Sequence, residues 1–145
     1  MTHGARFSAV SSHPRGDTLD PKRVSFAFQS NPASIAAARR AVDDLFANAG
    51  PSDGLRMDLR LVVSELMTNA VEHGPPTGTI RVDLTLQPHH AYVRIHNAGD
   101  PIDIAELRRG RQDGGRGLEL VTAIADRWGI DTGPDGTTIS ARVPR

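Results

Sequence analysis

Cysteine is absent from the 145-residue chain. Its absence removes disulfides, thiolate nucleophiles and cysteine metal sites, and is compatible with a cytosolic home. Lysine is nearly absent as well, with Lys22 the only one among 17 basic residues, so chemistry that needs a lysine beside a phosphate has no candidate in the folded part. Charge of one sign is not in excess, because 17 acidic residues balance the basic ones. No global basic field draws the chain to nucleic acid or to a membrane, and any partner must be recognised locally. Long apolar runs are missing too: the start has none of signal-peptide length, and no later segment approaches the roughly 20 apolar residues of a membrane span. The expectation is a soluble, cytoplasmic protein.

What is present describes one compact unit. A composition 38% hydrophobic and 23% charged is that of a soluble globular protein, and the length suits one domain around one core. The 14 Gly and 10 Pro imply more loop than usual. Residues 1–22 mix Ser, His, Gly, Pro and Arg without periodicity and are expected to form a mobile N-terminal tail, with a single domain over 23–145.

The folded part opens with Val24, Phe26 and Phe28 alternating with small or polar residues, the period-2 pattern of a half-buried strand. Asn31-Pro32 ends it, and Ile35, Ala38, Val42, Leu45 and Phe46 then recur at helical spacing over 32–48. A second helix is predicted over 53–73, stopped by Gly74 and Pro75-Pro76. On it Leu55, Leu59, Val62, Val63, Leu66 and Ala70 share one arc, while Glu65, Asn69 and Glu72 cluster just past its edge. Strands are predicted over 79–86 and 91–97, joined as a hairpin; a short helix over 102–107 and a third real helix over 118–127 follow. The final hairpin pairs 129–132 with 137–143 across Gly133-Pro134-Asp135-Gly136. The order β-α-α-β-β-α-β-β predicts an α+β fold: a two-layer sandwich with three main helices on one face of a mostly antiparallel mixed sheet.

Three clusters carry candidate chemistry. Glu65 and Asn69 lie one turn apart on the second helix, as solvated polar residues or as a site: an amide oxygen suits Mg²⁺, which completes its shell with phosphate and water, and a carboxylate one turn earlier can orient or deprotonate an attacking hydroxyl. Asn97-x-Gly99 follows a strand, as turn residues or as base contacts. Gly114-Gly115-Arg116-Gly117-Leu118 opens a helix and either presents amides to a phosphate or simply packs; it lacks the Lys-Ser/Thr of a Walker loop and the spacing of a dinucleotide turn.

In order and spacing these clusters resemble the N box and two glycine boxes of the histidine kinase-like (Bergerat-fold) ATPases, the superfamily of gyrase, the ninety-kilodalton chaperones, sensor histidine kinases and mismatch-repair ATPases. The stretch LVVSELMTNAVEHG is similar in particular to the N box of small bacterial anti-sigma factor serine/threonine kinases, and the likeness covers about residues 24–143. It implies that ATP binds with Mg²⁺ on Asn69, that Glu65 is the base, that Asn97 and Gly99 sit at the adenine with Ile102 beside them, and that Gly115, Arg116, Gly117 and Leu118 neighbour the phosphates. Thr137 or Thr138 matches the family's late threonine near the base. His73 and Gly74 match the end of the N-box helix, where His73 suits a C-terminal cap.

One position departs from the pattern. The family usually carries Asp where this chain has Asn97, so a charge-assisted bond to the adenine amino group is exchanged for a neutral one. Arg108, Arg109, Arg111 and Arg116 face phosphates or form a solvated run, and Arg39 and Arg40 on the first helix dock a partner or are an ordinary basic pair. Two functions follow from the resemblance. The first is a kinase that phosphorylates a Ser or Thr of an anti-anti-sigma (STAS-type) protein and also binds a sigma factor, with a homodimer implied by likeness only. The second is a nonenzymatic ATP-binding or degenerate module that sequesters a sigma factor or another regulator by surface contact. A detached histidine-kinase catalytic domain fits less well, because no dimerising helix carries a phosphoacceptor His.

Overall fold

The computed structural model describes residues 2–4, 22–47, 53–105 and 118–145. Among these residues lie β1 (Thr2–Gly4), β2 (Lys22–Gln29), α1 (Ala33–Ala47), α2 (Asp53–His73), β3 (Thr79–Leu86), β4 (His90–Ala98), α3 (Leu118–Ile124), β5 (Arg127–Gly133) and β6 (Gly136–Pro144). The strands form one sheet in the order β1-β5-β6-β4-β3-β2. Every pairing is antiparallel, including that of β1 with β5. The helices pack on one face of this sheet, with α2 central between α1 and α3 and over β4 and β6. The expected α+β two-layer sandwich is therefore present, and its sheet is antiparallel throughout the described residues.

Local signals account for most boundaries. Pro32 lies in the turn that starts α1, where the Ser34 and Ile35 amides donate to the Asn31 and Pro32 carbonyls at 3.0 and 3.1 Å. At the far end of α2 the Gly74 amide donates to Ala70 O at 3.0 Å, and two prolines then prevent continuation. Asp43 ties the first two helices together, accepting from Arg56 Nη1 at 2.9 Å with Arg60 Nε 3.3 Å from its other oxygen. α3 ends at Ile124 rather than 127, because Arg127 already pairs with Arg142 in the β5–β6 ladder. Thr2–Gly4 forms a strand beside β5, an element without side-chain periodicity because its pairing is made by backbone.

Register arranges the helix-facing side of the sheet in rows. One row runs Val24, Leu84, Val93, Ala141 and Trp128; the next runs Phe26, Val82, Ile95, Ile139 and Ile130. Against them α2 presents Leu59, Val62, Val63, Leu66 and Met67, all fully buried. Burying each such side chain contributes about 1.5–3 kcal/mol, which offsets the entropy of ordering the two layers. The following row changes character: Phe28 and Ile80 give way to Asn97, Thr137 and Thr132. At that end the sheet turns polar on its covered face.

Candidate functional site

This polar row lies beneath the last turn of α2. Asn97 and Thr137 are directly opposite each other in the β4–β6 ladder, and both are buried, as is Asn69 on the helix above. Asn97 Nδ2 donates to the carbonyl of Ala70 at 3.2 Å, which links the β4 residue to the helix turn that carries Asn69. Asn69 Nδ2 is itself buried without a hydrogen-bond partner. A buried amide with an unmatched polar atom is costly in an isolated fold and marks a place prepared for a further polar group. The C-terminal end of a helix carries partial negative charge, so a cation is favoured near this turn.

Two segments close the row from the side. Ile102, buried in the stretch after β4, donates its backbone amide to Thr137 Oγ1 at 2.9 Å. Gly99 lies against Pro75 in the exit from α2, so the bend after β4 and the bend after α2 touch. Gly136 brings the backbones of β6 and β4 into close approach: a β-carbon there would lie 1.8 Å from the carbonyl oxygen of Asn97. Thr137 and Thr138 are now distinguished. Thr137 faces the helices, whereas Thr138 faces the other side of the sheet, its Oγ1 2.8 Å from His96 Nδ1.

The structure thus brings together Asn69, Asn97, Gly99, Ile102 and Thr137, drawn from three separate segments. Glu65 and His73 are half-buried on α2, one turn before Asn69 and at the helix end respectively. Leu118 is buried at the start of α3, which packs against α2. Gly114, Gly115, Arg116 and Gly117, together with Arg108, Arg109 and Arg111, lie outside the described residues. Arg39 is half-buried with its Nε unpartnered, and Arg40 is exposed. Sequence reading did not identify two contributors: the Ala70 carbonyl, which no side-chain pattern reports, and Gly74, whose role as helix stop concealed its second one. A β-carbon at Gly74 would lie 2.3 Å from Asn97 Nδ2.

Chemically, the row offers neutral groups only: two carboxamides and a hydroxyl, with a carboxylate one turn along the helix. Such a set can hydrogen-bond the edge of a polar ligand as both donor and acceptor.

A family model for the histidine kinase-like ATPase domain matches residues 28–143, and the chain belongs to that family. Within it the similarity runs to the anti-sigma F factor of Bacillus subtilis, 30% identical over 116 residues, covering 70% of this chain and 78% of the relative. The serine-protein kinase RsbW of Listeria monocytogenes is 25% identical over 119 residues, covering 72% of this chain and 76% of that protein. Among solved structures, the crystal structure of the RsbU and RsbW domains of Rv1364c from Mycobacterium tuberculosis superimposes with a TM-score of 0.65 at 20% identity. That match covers 85% of this chain and 32% of the longer one, and it bears out the fold. Among the described residues no helix is long and apolar enough to cross a membrane.

Proposed function

We propose that this domain binds Mg-ATP, transfers the terminal phosphoryl group to a serine or threonine of an anti-anti-sigma protein of the STAS type, and binds a sigma factor. The observation that supports this most is the buried pair of Asn97 and Thr137, bonded through Asn97 to the α2 turn that also carries buried Asn69. A fold with only a structural role would fill those positions with apolar side chains, as the neighbouring rows are filled.

In this reading Asn97 accepts from the amino group of the base, Thr137 and Ile102 line the base, and Gly99 keeps the approach to it open. Asn69 holds Mg²⁺ through its carboxamide oxygen, near the negative end of the helix, while its buried and unmatched Nδ2, a donor, is left to an acceptor such as a phosphate oxygen. Magnesium bound there supplies charge neutralisation on the phosphates. Gly115, Gly117 and Arg116 cradle the phosphate oxygens, and Leu118 opens the helix behind them. His73 caps the end of α2. Glu65 takes the proton from the substrate hydroxyl as its oxygen attacks the γ-phosphorus and ADP departs. Positioning and charge stabilisation carry most of the rate in such transfers.

The test is direct. Full-length protein titrated with ATP and magnesium in a calorimeter should give saturable heat, and incubation with γ-labelled ATP and candidate anti-anti-sigma proteins should label one of them. No heat at millimolar nucleotide removes the nucleotide reading. Binding with no labelled acceptor leaves the nonenzymatic module.

A further inference from the structure

The face of the sheet turned away from the helices is bare among the described residues, and its chemistry differs from that of the covered face. Strand β4 runs through its interior and presents His90, Tyr92, Arg94 and His96 there, spaced by about 6.8 Å. The His90 and Tyr92 rings lie 6.3 Å apart at 45°. Register places Arg81 beside His96, and Arg142, Arg127 and Arg23 in the row of Tyr92. Against these arginines stand Asp83, Asp131 and, at the rim, Asp126. Among the described residues no Val, Leu, Ile, Met or Phe points to this side. Two of the carboxylates are already engaged. Asp126 accepts from Arg142 at 2.8 and 3.0 Å, and Arg142 also hydrogen-bonds Tyr92. Asp83 Oδ1 accepts from Ser25 Oγ and, at 3.3 Å, from Arg81 Nε. Arg94 lies directly opposite Asp83 in the ladder, yet neither it nor Arg127 makes an ion pair among the described residues, and both are exposed. The neutral total of the chain conceals a local positive excess on this face.

We propose that the helix-free face of the sheet binds single-stranded nucleic acid, with bases stacked on Tyr92 and the histidine rings beside it and phosphates held by Arg94 and Arg127. Charge and shape select this occupant. A surface that docks another protein carries an apolar core inside a polar rim, and this one has planar rings and guanidiniums at its centre instead. An acidic peptide would answer the arginines and leave the rings unused, whereas every base has a π-face to lay on a ring and every phosphate a charge to meet a guanidinium. Single strands suit a flat sheet because their bases can be splayed onto it, while a duplex keeps its bases stacked inside. The platform extends about 20 Å along β4 and about 20 Å across its neighbours, room for roughly four nucleotides. Arg142, held between Asp126 and Tyr92, fixes the tyrosine ring in place and acts as a positioning residue. This site lies on the opposite side of the sheet from the buried polar row, so it stands or falls apart from the ATP reading.

The experiment titrates full-length protein into a fluorescein-labelled single-stranded dT oligonucleotide of about 12 nucleotides and follows anisotropy, with saturating Mg-ATP present and absent. Native protein is expected to bind with a dissociation constant of about 1–100 μM at low salt, the range of sequence-independent contacts. With three or four phosphates neutralised, raising salt from about 50 to 200 mM should weaken binding about 20–50-fold. Arg94→Glu should weaken it at least about tenfold and flatten the salt dependence, while melting and ATP binding stay as in the native protein. Tyr92→Leu should weaken it about tenfold with the salt dependence unchanged, since it removes a stacking surface and no charge. If Arg94→Glu does not fold, Arg127→Glu on β5 takes its place. No anisotropy change at about 300 μM protein and low salt overturns the proposal, as does native binding in either variant. Competition by Mg-ATP would assign the oligonucleotide to the buried polar row, and equal binding of a polyglutamate peptide of matched charge would make the face a site for acidic protein. A dimer in sedimentation that Arg94→Glu dissociates would make it a contact between copies of the chain. Each of these three results also overturns the proposal.

Discussion

Gly136→Ala is the sharpest structural perturbation available, because the same turn contains its own control. Gly136 has a φ of +131°, a region L-residues rarely adopt and one that costs about 1–3 kcal/mol to occupy. Its added β-carbon would lie 1.8 Å from Asn97 O, 2.9 Å from Asn97 C and 3.1 Å from Ala98 Cα. All three are backbone atoms, so no rotamer change relieves the overlap. Ordinary contact begins at 3.4 Å, and the strands must part by about 1.5 Å where Ala98 faces Gly136 and Asn97 faces Thr137. Losing the ladder there adds about 1 kcal/mol per bond, for a sum of about 3–5 kcal/mol against a whole stability of about 5–15. In Gly133→Ala nothing lies within 4 Å of the new atom, and the change should stay within about 0.5 kcal/mol. Urea unfolding reads the difference: with a slope of about 2 kcal/mol per molar, the Gly136→Ala midpoint falls by about 2 M and the Gly133→Ala midpoint barely moves. Midpoints that coincide for the two variants would refute the close approach of β6 to β4, and with it the geometry of the site.

Other expectations follow from single contacts. Leu66→Ala empties a fully buried position of α2 and should lower unfolding free energy by about 2–5 kcal/mol in the same urea assay. Glu65→Gln should leave nucleotide affinity within about twofold and slow phosphoryl transfer by about 10²–10⁴-fold; transfer at the native rate in single-turnover labelling excludes Glu65 as base. Arg142 grips Asp126 with two hydrogen bonds of 2.8 and 3.0 Å and holds its carboxyl below the ordinary 3.8. A carboxyl depressed in the folded state stabilises above its unfolded value and loses that contribution as pH falls through the folded one. Asp126→Asn should therefore be slightly less stable than native at pH 7, with the gap closing below about pH 4, and the effect is small because the pair is solvent-screened. A gap that widens on acidification contradicts the assignment.

The parts of the fold legible in the sequence were those whose signals are local. α2 and β3 have the expected ends, since Gly74-Pro75-Pro76 stops one and Gln87-Pro88 interrupts the other. β1 was illegible because three residues pairing by backbone carry no period. Asn69 was placed just past the edge of the apolar stripe, yet it is buried, because the β4–β6 end of the sheet reaches beyond the arc that α2 alone suggests. The partnership of Asn97 with Ala70 spans 27 positions, and no window along the chain registers it. Asn97 was visible as a candidate base contact, whereas Ala70 read only as part of the apolar stripe. The register that aligns Asn97 with Thr137 and turns Thr138 to the opposite side belongs to the folded sheet alone.

Among the described residues only Ser34, Asn69, Asn97 and Thr137 are polar and buried, and three of these four occupy one end of the inter-layer space. If the site binds nucleotide as proposed, that concentration sets robustness and recognition against each other at the same positions. On the proposed nucleotide reading, a hydrophobic replacement at Asn69, whose Nδ2 has no partner, would harden the scaffold while silencing it, so a thermostability screen run without nucleotide would steer toward variants that melt late and respond to nothing.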